Sequence, residues 1–90
     1  MKVRVEAIFK GKVQGVYFRD YTQRFARRME VYGWVKNLPD GTVEATFEGD
    51  KENIEEVIRM LREEHPLARV DNIEIVWTEY RNQYDRFEIR

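Results

Sequence analysis

The sequence contains no cysteine, a single histidine, two prolines and five glycines among its 90 residues. Without cysteine, the chain can form no disulfide, no thiolate-ligated metal site and no phosphocysteine intermediate. It also has no run of about 18 apolar residues, the length of a membrane-spanning helix. Residues 1–6 alternate in type and resemble neither a signal peptide nor a transit peptide. We therefore expect a cytoplasmic protein that does not associate with a membrane.

The sequence also lacks an excess of positive or negative charge, because it has 16 basic and 17 acidic residues and a formal net charge of −1. Such a chain has no global basic field for nucleic acid. Charged residues nevertheless make up 37% of the sequence, a composition typical of heat-stable proteins with surface ion-pair networks. A thermophilic source is a hypothesis that a melting midpoint in the mesophilic range would exclude. The length predicts one domain spanning residues 1–90, and a monomer is the default expectation.

Hydrophobic periodicity predicts two helices and five strands. The strands are expected around residues 3–9, 34–37, 42–48, 73–77 and 87–89, and the helices from Asp20 to about Tyr32–Gly33 and from Asp50 to His65–Pro66. The order β-α-β-β-α-β with a terminal strand predicts a ferredoxin-like α+β sandwich, in which both helices cover one face of an antiparallel sheet. The opposite face is expected to be hydrated, and it carries Arg4, Glu6, Thr42, Glu44 and Thr46.

The connection between the first strand and the first helix holds two glycines, Gly11 and Gly15, and runs into Arg19. Glycine can turn successive backbone N–H groups inward, the helix start adds unpaired N–H groups, and arginine offers a planar fork for phosphate oxygens. This pattern indicates an anion site; the alternative is a tight turn with a solvated arginine. The loop does not match the nucleotide-binding motifs of the P-loop or dinucleotide-binding type.

Two segments resemble the signatures of the acylphosphatase family. Gly11 to Arg19 matches Gly-x-Val-Gln-Gly-Val-x-Phe-Arg, and Gly33 to Val43 matches Gly-Trp-Val-x-Asn-x-x-Asp-Gly-x-Val. The resemblance covers essentially the whole chain and implies a ferredoxin-like enzyme that hydrolyses the carboxyl-phosphate bond of acyl phosphates. The departures are mild: Tyr17 stands where the family often has Phe, Leu38 follows the asparagine, and His65–Pro66 replaces a Gly-Pro-like turn.

The resemblance further implies that Arg19 and Asn37 are the catalytic residues. Arg19 would bind the phosphate together with the backbone N–H groups of Gln14, Gly15, Val16, Tyr17, Phe18 and Arg19. Asn37 would place the attacking water, whose proton would pass to the substrate phosphate; without the resemblance, Asn37 would be an ordinary turn asparagine. No cofactor or metal is expected, because the leaving carboxylate is a weak base and the five aspartates include no Asp-x-Asp pair.

Two other interpretations remain at this point. A ferredoxin-like domain can also be a binding module for RNA or a small anionic ligand, although glutamates on the strand at residues 42–48 oppose RNA binding. A relative that kept the phosphate pocket for sensing is the second alternative. His65, next to Pro66 at the end of the second helix, is expected to be a C-terminal cap or a solvated turn residue and not part of the site.

Overall fold

The computed structural model describes residues 1–90 and confirms the ferredoxin-like α+β fold, with two helices and a five-stranded sheet. The elements are β1 (Lys2–Lys12), α1 (Phe18–Arg28), β2 (Tyr32–Asn37), β3 (Val43–Asp50), α2 (Lys51–Glu63), β4 (Arg69–Glu79) and β5 (Phe87–Ile89). The strand order is β4-β1-β3-β2-β5. All neighbouring strands are antiparallel except β2 and β5, which pair in parallel, so the terminal strand makes the sheet a mixed one.

The core lies between the helices and one face of the sheet. Nineteen buried apolar residues form one cluster, and in β1 the buried Val5, Ala7 and Phe9 alternate with less buried residues. Each helix contributes an amphipathic stripe at three- and four-residue spacing. On α1 the buried residues are Phe18, Thr22, Phe25 and Ala26, and on α2 they are Ile54, Val57, Ile58, Met60 and Leu61. The buried Thr22 hydroxyl donates to the Phe18 carbonyl at 2.7 Å.

The first helix ends four residues earlier than the sequence pattern predicts. It stops at Arg28, and the Val31 and Glu30 N–H groups then donate to the carbonyls of Ala26 and Arg27. This bonding pattern is a Schellman motif, in which the residue after the cap adopts a left-handed conformation and is usually glycine. Here that residue is Glu30, with φ 55°. Because a glutamate occupies this position, the sequence signal pointed to the later Gly33, which lies within β2.

The outer face of the sheet is not uniformly hydrated, contrary to expectation. Arg4 is 7% exposed, Thr46 2% and Glu48 1%. The Glu48 carboxylate accepts hydrogen bonds from the backbone N–H groups of Arg81 and Gln83 at 2.9 and 2.8 Å, so residues 80–86 lie across this part of the face. Glu6 is exposed as expected, while Thr42 and Glu44 are half-buried. The sequence pattern gave no signal for a covering segment that lies so far along the chain.

Candidate active site

The loop between β1 and α1 has the backbone conformation of an anion-binding nest. Gly15 has φ 74° and Tyr17 has φ 61°, so two left-handed residues alternate with residues of ordinary conformation. Such alternation turns successive N–H groups toward a common point. Tyr17 adopts this conformation despite its side chain, which is 67% exposed, and it forms the N-terminal cap of α1 without a side-chain capping bond. A left-handed residue other than glycine is uncommon; such residues occur at helix ends, as at Glu30, and cluster at functional sites.

None of the backbone N–H groups of residues 14–20 donates a hydrogen bond to another protein group. The first helical bond runs from the Tyr21 N–H to the Tyr17 carbonyl at 3.0 Å, and the N–H groups that donate to side chains lie elsewhere in the chain. Buried or partly buried N–H groups normally have a partner. Together with the positive end of the α1 dipole, these donors form a site prepared for an anion.

These donors surround a cavity of about 390 Å³. Its lining residues are Val13, Gln14, Gly15, Tyr17, Phe18, Arg19, Asp20, Asn37 and Ile89. Arg19 is half-buried and has no carboxylate within ion-pairing distance. Its guanidinium is therefore available to an external anion. Asn37 reaches the same cavity from the end of β2, so residues 18 positions apart in the sequence line one site.

The Gln14 side chain connects the loop to the hairpin that carries Asn37. Its amide nitrogen donates to the carbonyls of Leu38 and Thr42 at 2.9 and 2.8 Å. The hairpin is further closed by the Leu38 N–H, which donates to the Thr42 carbonyl at 2.9 Å. Gln14 thus fixes the distance between the anion loop and Asn37. The sequence analysis assigned only the backbone N–H of Gln14 to the site; no local pattern points to the role of its side chain.

Asp40 rigidifies the same hairpin. Its carboxylate accepts a hydrogen bond from the Thr42 hydroxyl at 2.6 Å and from the Thr42 N–H at 3.0 Å. The hydrogen bond from the Thr42 side chain is the main reason that the pKa of Asp40 lies below its ordinary value. Asp40 does not line the cavity. It is therefore a turn residue that holds β2 and β3 together beyond Asn37.

His65 lies against the loop and is buried, so the expectation of a solvated turn residue was wrong. Its ring stacks on Phe18 at 5.8 Å between centroids and packs against Tyr21 at 4.2 Å. Its Nδ1 accepts hydrogen bonds from the Leu67 and Ala68 N–H groups, each at 3.1 Å. Burial lowers the pKa of His65 below its ordinary value, although the nearby carbonyls of the loop oppose that shift. The imidazole is therefore neutral at physiological pH.

The structure brings the predicted site residues together, with one exception. Arg19 and Asn37 both line the cavity, and so do Gln14, Gly15, Tyr17 and Phe18. Val16 is buried and does not line it. The sequence analysis missed three lining residues: Val13, which precedes the predicted loop donors, Asp20, the one carboxylate in the lining, and Ile89, which reaches the cavity because β5 pairs with β2. No group of three or more His, Cys, Asp or Glu side chains is arranged to hold a metal ion.

The fold and the loop define a ferredoxin-like protein with an anion-binding turn between its first strand and first helix. A family model described as Acylphosphatase matches residues 5–89. An acylphosphatase from Pelotomaculum thermopropionicum is 41% identical over 88 residues, which cover 98% of this chain and 96% of that protein. One from Thermococcus kodakarensis is 50% identical over 78 residues, covering 87% and 86%.

Comparison with a solved structure also indicates similarity to acylphosphatases. The crystal structure of acylphosphatase from Bacillus subtilis superposes with a TM-score of 0.92 at 31% sequence identity, and the match covers 98% of both chains. The chain therefore belongs to the acylphosphatase family. None of its helices is both long and apolar enough to pass through a membrane.

Proposed function

We propose that this acylphosphatase hydrolyses acyl phosphates by direct attack of a water molecule. Arg19 and the loop N–H groups hold the phosphate, and Asn37 places the water. The observation that carries this proposal is the row of N–H groups at residues 14–20, which have no acceptor in the protein. Six of these seven residues line the cavity that Asn37 also lines. A phosphate there gains several hydrogen bonds and one cationic partner without displacing an internal bond.

The chemistry requires little more than this arrangement. The water oxygen bonds to phosphorus while the bond between phosphorus and the acyl oxygen breaks. The electron pair of the broken bond goes to the leaving carboxylate. That carboxylate is a weak base, so no general acid has to protonate it. The proton of the water passes to a phosphate oxygen of the substrate. Arg19 and the N–H groups stabilise the charge that spreads over the phosphate oxygens in the transition state.

Asn37 suits the role of a water-positioning residue. Its side chain is exposed and lines the cavity, and an amide both accepts and donates hydrogen bonds. An amide cannot act as a strong base, which is consistent with transfer of the proton to the substrate. The proposal thus describes a metal-independent, cofactor-free, cytoplasmic monomer that acts on a small acyl phosphate and not on nucleic acid. The outer sheet face supports the last point, because residues 80–86 cover part of it and Glu6 is exposed on the rest.

The first experiment measures phosphate release from acetyl phosphate and benzoyl phosphate with and without excess EDTA. We expect turnover above spontaneous hydrolysis, and the same rate in both conditions, because Arg19 and the loop supply the positive charge that a metal ion would otherwise provide. Turnover that disappears with EDTA and returns with Mg²⁺ would contradict the metal-independent mechanism. No turnover of either substrate would contradict the proposed reaction itself.

The second experiment compares Arg19→Ala with Arg27→Ala. Both arginines are on α1, but Arg27 is exposed, lies outside the cavity and has no ion pair. We expect Arg19→Ala to lower kcat/KM by about 10²- to 10³-fold or more and to abolish inhibition by inorganic phosphate. Arg27→Ala should change neither quantity. Equal losses in the two variants would show that the general positive charge of the helix, and not a specific phosphate contact, supports the reaction.

A further inference from the structure

The imidazole of His65 has one nitrogen satisfied and the other unpartnered. Nδ1 accepts two backbone N–H groups, so it cannot carry a proton in the neutral ring, and Nε2 must carry it. Nε2 is buried and has no hydrogen-bond partner. His65 as a whole is only 7% exposed, so water does not readily satisfy this N–H group. A buried donor without an acceptor is rare and calls for an explanation.

The imidazole packs on Phe18 and Tyr21, directly after the anion loop, and the nearest loop carbonyls are on its Nε2 side because Nδ1 is occupied by the turn. The carbonyls of Tyr17 and Val16 are close enough to favour the protonated form of His65. The Tyr17 carbonyl already accepts the first helical hydrogen bond, from the Tyr21 N–H. The Val16 carbonyl accepts no backbone hydrogen bond. In a planar trans peptide, the carbonyl of one residue and the N–H of the next point in opposite directions. A Val16 carbonyl held toward His65 therefore directs the Tyr17 N–H away from the core.

We propose that His65 is a positioning residue of the phosphate loop: its Nε2–H group faces the Val16 and Tyr17 carbonyls and orients the loop N–H groups toward bound phosphate. The inference rests on the proposed function, because it presupposes that these N–H groups bind phosphate. The ring is well placed for this role, since stacking on Phe18 and contact with Tyr21 fix its plane and the turn at Leu67–Ala68 fixes its tautomer. His65 does not line the cavity, so it acts only through the loop.

Substitutions of His65 can test the roles of its two ring nitrogens separately. In His65→Asn the side-chain oxygen occupies roughly the position of Nδ1 and keeps the turn, but the donor toward the loop is lost. In His65→Gln the side-chain NH₂ group occupies roughly the position of Nε2 and keeps that donor. We expect His65→Asn to raise both KM and the inhibition constant of inorganic phosphate by about three- to tenfold. We expect kcat to fall by no more than about threefold, because the loop N–H groups already bind phosphate in the ground state and only the strengthening of these bonds in the transition state affects kcat.

His65→Gln should restore both constants to within about twofold of the unmodified protein. Phe25→Leu is the control for packing, because Phe25 is buried on the same helix and contacts Tyr21 but does not line the cavity. It should lower the melting temperature without changing the inhibition constant. An unchanged constant in His65→Asn, or an equal rise in Phe25→Leu, would overturn the positioning role.

NMR provides a readout that does not depend on activity, because His65 is the only histidine in the chain. Long-range ¹H–¹⁵N spectra of ¹⁵N-labelled protein should show Nε2 as the protonated nitrogen at neutral pH. Addition of inorganic phosphate should shift the Nε2–H resonance, and Arg19→Ala should abolish that response. The Nδ1–H tautomer, or no response although phosphate binds elsewhere in the spectrum, would overturn the inference alone. Wild-type protein that shows no phosphate binding at all would overturn the proposed function together with it.

Discussion

Arg19 and Asn37 are held in the cavity by different means. Arg19 is the second residue of α1, so the start of a helix and the preceding nest fix its backbone. Asn37 is the last residue of β2, and its position depends on the hairpin and on the Gln14 side chain. The guanidinium can compensate small displacements of its long side chain, but the short amide cannot. In the proposed mechanism, the placement of the water is therefore more sensitive to small displacements than the binding of the phosphate.

Asp20 is the one carboxylate that lines the cavity, and its substitution tests how the water is activated. It is exposed and lies in the first turn of α1, where a negative charge is favourable for the helix but repels a phosphate dianion. We expect Asp20→Asn to keep kcat within about threefold and to tighten phosphate inhibition by about two- to threefold, less at high salt. Kinetics at low and high ionic strength provide the measurement.

A different result for Asp20→Asn would change the mechanism. If Asp20 removes the proton from the attacking water, the substitution should lower kcat by about 10²- to 10⁴-fold. Proton transfer to the substrate would then be wrong, although the roles of Arg19 and the loop would be unaffected.

At the scale of residues, the sequence predicts the two side chains to which the proposed mechanism assigns the chemistry. Arg19 follows a glycine-bearing turn into a helix, which indicates an anion site without any alignment, and Asn37 follows from its signature. The Gln14 side chain and the burial of His65 could not be predicted. Gln14 bonds across 24 and 28 positions, and His65 packs on Phe18, 47 positions before it. Contacts of that range leave no local periodic pattern.

At the scale of elements, the site depends on how the loop is joined to the β2–β3 hairpin. Gln14→Ala removes both hydrogen bonds that make this connection. We expect a loss in the free energy of unfolding of about 1 kcal/mol, because the two carbonyls keep backbone partners. We expect a larger effect on the reaction, with kcat reduced about tenfold or more as Asn37 loses its position. Urea denaturation and steady-state kinetics measure the two effects.

Gln23→Ala is a matched control for this element-level prediction. Gln23 is also a half-buried glutamine whose amide donates to a backbone carbonyl, that of Phe87, at 2.9 Å. Its loss should cost similar stability while kcat stays within about twofold. If kcat falls equally in both variants, general loosening of the fold, and not the link between loop and hairpin, controls the position of Asn37.

Most of the helices and strands could be predicted from the sequence, because their apolar residues, at strand or helix spacing, face one shared core. The boundary of α1 could not be predicted, since Glu30 adopts the left-handed position that glycine usually takes. The hydration of the outer sheet face was not predictable either. Arg4 was expected on a hydrated face, but it is buried together with Glu48 where residues 80–86 return over the sheet.

For the whole molecule, the buried ion pair of Arg4 and Glu48 fastens the C-terminal segment to the sheet. The two side chains approach to 3.4 Å, and Glu48 also accepts two N–H groups of that segment. We expect Glu48→Gln to reduce the free energy of unfolding by about 3 kcal/mol, because the buried Arg4 charge then keeps only the neutral Gln83 side chain as a hydrogen-bond partner. Urea denaturation measures the change, with Glu6→Gln as the control.

Glu6 lies on the same face of the sheet, opposite Thr46 of β3, but it is exposed and forms no ion pair. Its substitution should change stability by no more than about 0.5 kcal/mol. Similar small losses in both variants would show that the segment is held mainly by its other contacts, such as the hydrogen bond of 3.1 Å from Trp34 to Tyr84.

The overall topology explains why a chain of this size can form an enzyme site. The parallel pairing of β5 with β2 and the hairpin of β2 with β3 place Ile89 and Asn37 beside the loop that follows β1. Three regions from the beginning, middle and end of the chain therefore meet at one cavity. The fold supplies backbone N–H groups and one arginine there, and the proposed mechanism requires few further groups.

The most direct test of the central claim, that phosphate binding and water placement belong to different residues, is Asn37→Ala. We expect kcat for acyl phosphate hydrolysis to fall about 10²- to 10³-fold, while the inhibition constant of inorganic phosphate stays within about threefold. Asn72→Ala, an exposed asparagine on β4 outside the cavity, should change neither. If Asn37→Ala loses phosphate inhibition to the same extent as Arg19→Ala, the division of roles is contradicted.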